Sequence, residues 1–516
     1  MTPLRSTAAA LVAVLLAITG CSLTPSMQTP EAEQELPDRF EAAPGDTTLP
    51  ATAVDTTRYN ATRWWTGYDD PALTALVDTA LAANLDLDVA RARLDELAAQ
   101  FRIARAPLFP SINANAQANY QNQPANTGIG GAIGGGDGEE GNENGSGQPP
   151  GGGQQQQFPD RFEFTTYQAT LGFSYELDFW GRVRSQRKAA LNQYFATAAD
   201  LQTARLSVIS QTISTYAQIA SLQRQVRLGQ RAVDLLEQRL EITDDRYARG
   251  LLPSFQLYTV RQSLQAARAE QPDLENQLYD AQSRLATLLG RFAGKQRVLL
   301  PDSMTVPLAP EPIPAGLPSD LLMQRPDVRA AARRLEAARQ QIGAARAELL
   351  PSLSLTGQGG TQSSDLADLV DPDQVFANFV GQLTAPLFQG GRLRANLSAA
   401  EARYKQQVAR YEQTVLTAFQ EVKAALVAYD KQRRRFREVQ RQVETADDAF
   451  QTQRDRYERG IGDVLALLDA ERTLVQARTR LAGVRLAVVN ARLALHRALG
   501  GSWTDVPPPD APRLLQ

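Results

Sequence analysis

Tyr167-Gln168-Ala169-Thr170-Leu171-Gly172-Phe173-Ser174-Tyr175-Glu176-Leu177 alternates apolar and polar side chains, and Phe179-Trp180-Gly181-Arg182 follows at once. Period-two alternation predicts a β-strand with one apolar and one polar face. An earlier stretch does the same, with Ile112, Ala114, Ala116, Ala118 and Tyr120 against Asn113, Asn115, Gln117, Asn119 and Gln121. From Arg182 to Ala248 there is no proline and almost no glycine. That run predicts one helix of about 67 residues, roughly 100 Å at 1.5 Å per residue. The couple recurs downstream. Leu353 and Leu355 open a weaker strand, and Phe379, Gly381, Leu383, Ala385 and Leu387 are expected to form its return. A second long helix is expected from Arg392 to Glu458.

The chain is therefore one unit written twice. Arg246-Tyr247-Ala248-Arg249-Gly250 recurs as Arg456-Tyr457-Glu458-Arg459-Gly460, and the same offset pairs Gly181-Arg182 with Gly391-Arg392. Upstream, Ala104-Arg105-Ala106 and Pro110-Ser111 match Ala345-Arg346-Ala347 and Pro351-Ser352 in a different register. The first copy thus carries about 31 extra residues, which fall in the Gly/Asn/Gln/Pro-rich stretch 122–157. Such a composition buries no core and reads as a loop insert. The expected organisation is repeat 1 over 59–300, with its hairpin at 111–178, a Pro-rich connector at 301–318, and repeat 2 over 319–503, with its hairpin at 352–388. A tail covers 504–516.

Gly250 and Gly460 are expected to end the long helices, where a left-handed residue is needed. Pro253 suits the first turn of a return leg, 253–289, with Pro272 as a kink. Further helices are expected at 71–106, 319–350 and 463–499. None contains a membrane-length apolar run, so any spanning falls to the strands. Four strands cannot close a barrel, because small barrels begin near eight. Spanning therefore requires oligomerisation, and strand arithmetic alone leaves two copies or three open.

The chain has 516 residues, 43 % hydrophobic and 22 % charged, with 54 basic against 57 acidic side chains. A near-neutral balance does not point to nucleic acid. One cysteine excludes a disulfide framework, and one histidine excludes multi-histidine metal sites. No nucleophile–base constellation is visible, so no enzyme and no metal site is expected. Residues 1–20 read as a secretion signal, with Arg5 ahead of the apolar run Ala8–Ile18. Residues 21–58 are Pro/Thr/Glu-rich, as a tether would be.

Ile18-Thr19-Gly20-Cys21 resembles the bacterial lipobox, which implies lipidation of Cys21, and Ser22 favours the outer membrane. Trp64-Trp65, Asp70-Pro71-Ala72-Leu73, Asn84-Leu85-Asp86-Leu87, Phe179-Trp180-Gly181-Arg182, Arg325-Pro326-Asp327-Val328 and Leu387-Phe388-Gln389-Gly390-Gly391-Arg392 jointly resemble the outer membrane factors, the TolC/NodT-type lipoprotein ducts of tripartite efflux pumps. The resemblance covers about residues 60–503. It implies an α+β membrane protein, a homotrimer whose twelve-stranded transmembrane β-barrel, four strands per protomer, stands on a long α-helical periplasmic barrel. It also implies a periplasmic adaptor and an inner membrane efflux pump as partners, outer membrane lipids around the barrel, and no cofactor. Its expected role is the exit duct.

In that family residues just after the second tip close the periplasmic entrance. Carried over, the gate is Leu465, Asp469 and Arg472, one face of one helix at i, i+4 and i+7. Leu465 would resist wetting, a ring of Asp469 would favour cations, and Arg472 would pair with a carboxylate. The repeat mates Phe255, Thr259 and Gln262 carry no charge, so the two tips are not equivalent. Asp245, Tyr247, Asp455 and Tyr457 precede the tip glycines Gly250 and Gly460 and are candidates to bridge neighbouring helices. Trp180, Gly181 and Gly391 mark the strand-to-helix junctions. Arg433, Arg434, Arg435 and Arg437 read as a solvated face, and His496 as an ordinary helix residue. The rival reading is a lipid-anchored periplasmic coiled-coil scaffold, which has no use for two matching strand hairpins.

Overall fold

The computed structural model describes residues 23–26, 63–124, 161–292, 306, 308 and 319–501. The signal 1–20, Cys21, most of the tether, nearly all of the insert, most of the connector and the tail lie outside the described residues. The elements are α1 (Pro71–Ala83), α2 (Leu85–Arg105), β1 (Ser111–Pro124), β2 (Arg161–Leu177), α3 (Arg182–Ala248) and α4 (Ser254–Leu288). Then come α5 (Pro326–Ala347), β3 (Ser352–Ser363), β4 (Val375–Thr384), α6 (Arg392–Glu458) and α7 (Val464–Ala498). Both long helices span 67 residues with the expected limits. No helix among the described residues is long and apolar enough to cross a membrane.

Two compact units divide the chain. The first holds one antiparallel sheet in the order β1-β2-β3-β4. Directly paired residues share a face, and the register aligns the apolar alternation across all four strands. Ile112, Phe173, Gly357 and Phe379 form one rung, and Ala114, Leu171, Gly359 and Ala377 the next. Leu177, Leu353 and Leu383 form a third. The opposite face carries Asn113, Gly172, Gln358 and Asn378, then Gln117, Gln168 and Gln362. β4 ends at Thr384 rather than running on through Ala385 and Leu387. Pro386 has no N–H for the ladder, and it restricts the residue before it.

The second unit holds the helices. Its core joins Leu73, Val77 and Ala80 of α1 to Ile209, Ile213, Tyr216 and Ala217 of α3, with Ala281 and Leu285 of α4 and Val489 and Leu493 of α7. Asp70 caps α1, accepting from Ala72 N at 2.9 Å and Leu73 N at 3.0 Å, and Tyr216 Oη donates to its other oxygen at 2.7 Å. The expected helix 71–106 is broken at Asn84. Its Nδ2 donates to Leu288 O at 3.0 Å while its Oδ1 accepts from Leu87 N at 3.2 Å, so one residue caps α2 and ties it to the end of α4. The helix expected at 319–350 begins only at Pro326 and ends at Ala347, and Pro253 is the N-cap of α4 rather than part of its first turn. α4 continues through Pro272.

Part of the expected tether is held. Arg346 donates to Leu23 O at 3.4 Å and Arg339 to Pro25 O at 2.8 Å. A Cβ on Gly343 would come within 2.5 Å of Thr24 Oγ1, so only glycine lets that segment lie against α5.

Candidate functional site

Contacts between the long helices and the return legs define the tip region. Ser221 Oγ donates to Ala482 O at 3.3 Å, and Leu228, Leu235, Leu468 and Val475 pack together below it, so α3 runs beside α7. Three ion pairs follow toward the tips: Arg231 with Glu471, Arg239 with Asp469, and Arg246 with Asp463 at 3.3 Å. Every arginine comes from α3 and every carboxylate from α7 or its N-cap. α3 also meets α4 through Arg268–Glu237 at 2.6 Å and Arg261–Asp244 at 3.0 Å, and α6 meets α7 through Arg478–Asp447 at 2.9 Å.

Asp469 thus sits in the middle of a ladder linking the two repeats. Arg472 also reaches it, at 3.5 Å along the same helix, but the closer guanidinium is that of Arg239. Leu465 is partly buried beside them. A carboxylate paired with a guanidinium adds little net charge, so Asp469 presents its negative charge only where that pair opens. Sequence reading missed Arg239. Its signal was the spacing Arg231, Arg239, Arg246, close to two turns each time, against Glu471, Asp469 and Asp463 in reverse order.

The turn glycines behave as expected: Gly250 and Gly460 both have φ of +74°, and Gly181 and Gly391, ahead of α3 and α6, are also left-handed at +75° and +82°. Asp245 pairs with Arg249 at 2.8 Å, within its own helix end, whereas Asp455 is exposed. Tyr247 and Tyr457 are about half exposed, at 43 % and 47 %. Neither bridges helices through a hydrogen bond among the described residues. Trp180 ties two junctions together, its Nε1 donating to Pro351 O at 2.7 Å. Beside it Asp178 caps α3, accepting from Val183 N at 3.0 Å and Arg184 N at 2.9 Å.

Two residues, both away from the tips, are central to the helical unit. Arg325 is 5 % exposed and links three segments, donating to Ala498 O at 2.7 Å, Asp327 Oδ2 at 2.6 Å and Glu421 Oε2 at 2.7 Å. His496 is no ordinary helix residue: it is buried and stacked on Trp64, ring centroids 4.3 Å apart. Burial, with the nearby positive charge of Arg492, pushes its pKa down to about 3. The unfolded chain binds that proton near pH 6.5, so stability is intact above pH 6.5 and falls as pH drops toward 3. Going from pH 7.5 to 5 should cost about 2 kcal/mol through this one group. Thermal unfolding of His496→Gln should lose that part of the pH dependence; an unchanged slope refutes the assignment.

The outer membrane efflux protein family matches residues 76–291 and 317–501, and the chain belongs to that family. It is 32 % identical over 495 residues to the probable efflux pump outer membrane protein TtgC of Pseudomonas putida, covering 94 % of this chain and 93 % of that one. It is 32 % identical over 506 residues to outer membrane protein OprJ of Pseudomonas aeruginosa, covering 97 % and 98 %. The open state of the Neisseria gonorrhoeae MtrE outer membrane channel superposes with a TM-score of 0.71 at 29 % identity, covering 94 % of this chain and 99 % of that one. The protein is an outer membrane efflux protein, and its role is that of an exit duct.

Proposed function

We propose that three copies close into a twelve-stranded barrel continuous with a helical tube. Through it small molecules pass without chemistry, delivered by a periplasmic adaptor and an inner membrane pump and gated at the helical tips. The observation that carries this reading is the sheet. Its strands of 14, 17, 12 and 10 residues are long enough to cross a bilayer, which needs about 9–11. β1 and β4 are its edges, and they do not pair with each other among the described residues. An open edge is untenable in hydrocarbon, where each unmet backbone group costs several kcal/mol. Neighbouring copies must supply the missing pairing, and four strands from each of three give a barrel of ordinary size.

The gate is the ladder between α3 and α7, centred on Arg239–Asp469, with Leu465 as an apolar collar and Arg472 in reserve. Lipidation at Cys21 anchors the chain, and the contacts of residues 23–26 with α5 support a short leash after it. Electron microscopy of the detergent-solubilised protein tests the assembly. Hollow particles with threefold symmetry are expected; solid rods or monomers without a lumen would reject the duct and favour the scaffold.

A further inference from the structure

On α3, Ile209, Ile213 and Tyr216 face α1 in the core. Ser210 and Ser214 are each one position further on, so they lie about 100° round the helix, Ser210 at the edge of that core above Ala217 and Ser214 beyond it. Here α3 is flanked on both sides. Arg284 of α4 donates to Gln218 Oε1 at 3.4 Å, and Ser214 Oγ donates to Asn490 Oδ1 of α7 at 2.8 Å. Short side chains on α3 between longer ones on α4 and α7 leave a groove of about 780 Å³. That is the size of a small-molecule site, roughly 300–1,000 Å³.

The groove is chemically uneven. Its floor holds the hydroxyl of Ser210, which is 5 % exposed and has no hydrogen-bond partner among the described residues. A buried polar atom without a partner is costly and favours whatever supplies one. The α4 wall presents the carboxylate of Asp280 and, one turn on, the guanidinium of Arg284, which donates to Gln218; the α7 wall presents the guanidinium of Arg497. Among the described residues neither Asp280 nor Arg497 is engaged by an oppositely charged side chain, whereas Arg268 and Arg478 on the same two helices are paired.

We propose that this groove binds amphoteric small molecules, with a cationic amine at Asp280, a carboxylate at Arg497 and a polar group between them meeting the Ser210 hydroxyl. The proposal deepens the duct reading and rests on it in one respect: the side of α3 facing away from the α1 core is taken as the side turned to the lumen. A site in a duct must release what it holds, so affinity in the millimolar range fits its place.

Saturation-transfer NMR on the detergent-solubilised full chain tests this with three probes. Ampicillin carries both an ammonium and a carboxylate, benzylpenicillin only the carboxylate, and phenylglycine methyl ester only the amine. Ampicillin should bind at least fivefold more tightly than either of the others. Asp280→Asn should reduce ampicillin to the level of benzylpenicillin and leave benzylpenicillin unchanged, while Arg497→Gln should weaken both. Both positions are exposed, and a melting curve verifies that each variant folds. Ampicillin binding no better than benzylpenicillin, or equal in both variants, overturns the proposal. Light scattering on the same sample reads the copy number separately. A trimer without ampicillin preference rejects the groove and leaves the duct; selective binding in a sample that is not trimeric supports the groove and rejects the duct.

Discussion

Asp469→Ala should raise the resting conductance of the protein in planar bilayers, and Arg239→Ala should raise it by the same amount. The two side chains form one bridge between α3 and α7, so removing either removes the same contact. The Arg239 and Asp469 side chains are 23 % and 46 % exposed, which limits the bridge to about 1 kcal/mol or less after solvent screening. In a threefold gate that opens as a unit, three such losses approach about 3 kcal/mol, on the order of a hundredfold in the open fraction. The double variant should match the single ones, because a contact is lost only once. Exchanging the charges, Arg239→Asp with Asp469→Arg, should restore the closed level. Arg472→Ala should have a smaller effect, since its 3.5 Å contact lies within one helix and joins nothing to α3. Additive effects of the two alanine variants, or no change in either, would remove the bridge from the gate. High salt should open the wild type toward the level of the variants by screening the same charges.

The fold was open to sequence reading where one local rule governs. Alternation set the strands, and the absence of proline set both long helices to the residue, because nothing in tertiary packing competes over 67 positions. The sequence is least legible where two rules meet. Asn84 interrupts a helical period to reach Leu288 O, a partner 204 residues away, and no local pattern announces that bond. β4 stops at Thr384, where Pro386 outranks an alternation that continues through Leu387. The proposed gate shows the same division. Asp469 is placed by resemblance, whereas its partner Arg239 lies 230 residues away on the other repeat. His496 gave no sign either, because its character comes from Trp64 arriving from the far end of the chain.

Arg325→Ala should produce a large loss of stability, about 2–3 kcal/mol, because it leaves the Ala498 carbonyl without its donor while Asp327 and Glu421, 38 % and 52 % exposed, keep contact with water. Arg325 is buried where the start of α5, the middle of α6 and the end of α7 meet, and it satisfies Ala498 O together with the carboxylates of Asp327 and Glu421. Ala498 O is among the last carbonyls of α7, which have no partner within the helix. Removing the guanidinium leaves that carbonyl and two carboxylates without their shared donor. Lysine is a poor replacement, because one ammonium cannot fill the forked geometry by which Nε and Nη2 both meet Asp327, at 3.0 Å and 2.6 Å. The melting temperature in detergent should fall by on the order of 5 °C for alanine and by less for lysine. Asp327→Asn should cost less than either, since Glu421 and Ala498 O still hold the guanidinium in place. The loss should appear as unfolding of the helical unit with single-channel conductance of the surviving protein unchanged, because none of these atoms belongs to the α3–α7 ladder. A melting temperature within 1 °C of wild type for Arg325→Ala, on the scale of about 2 °C or more per kcal/mol, would show that the three segments are held by their apolar contacts alone.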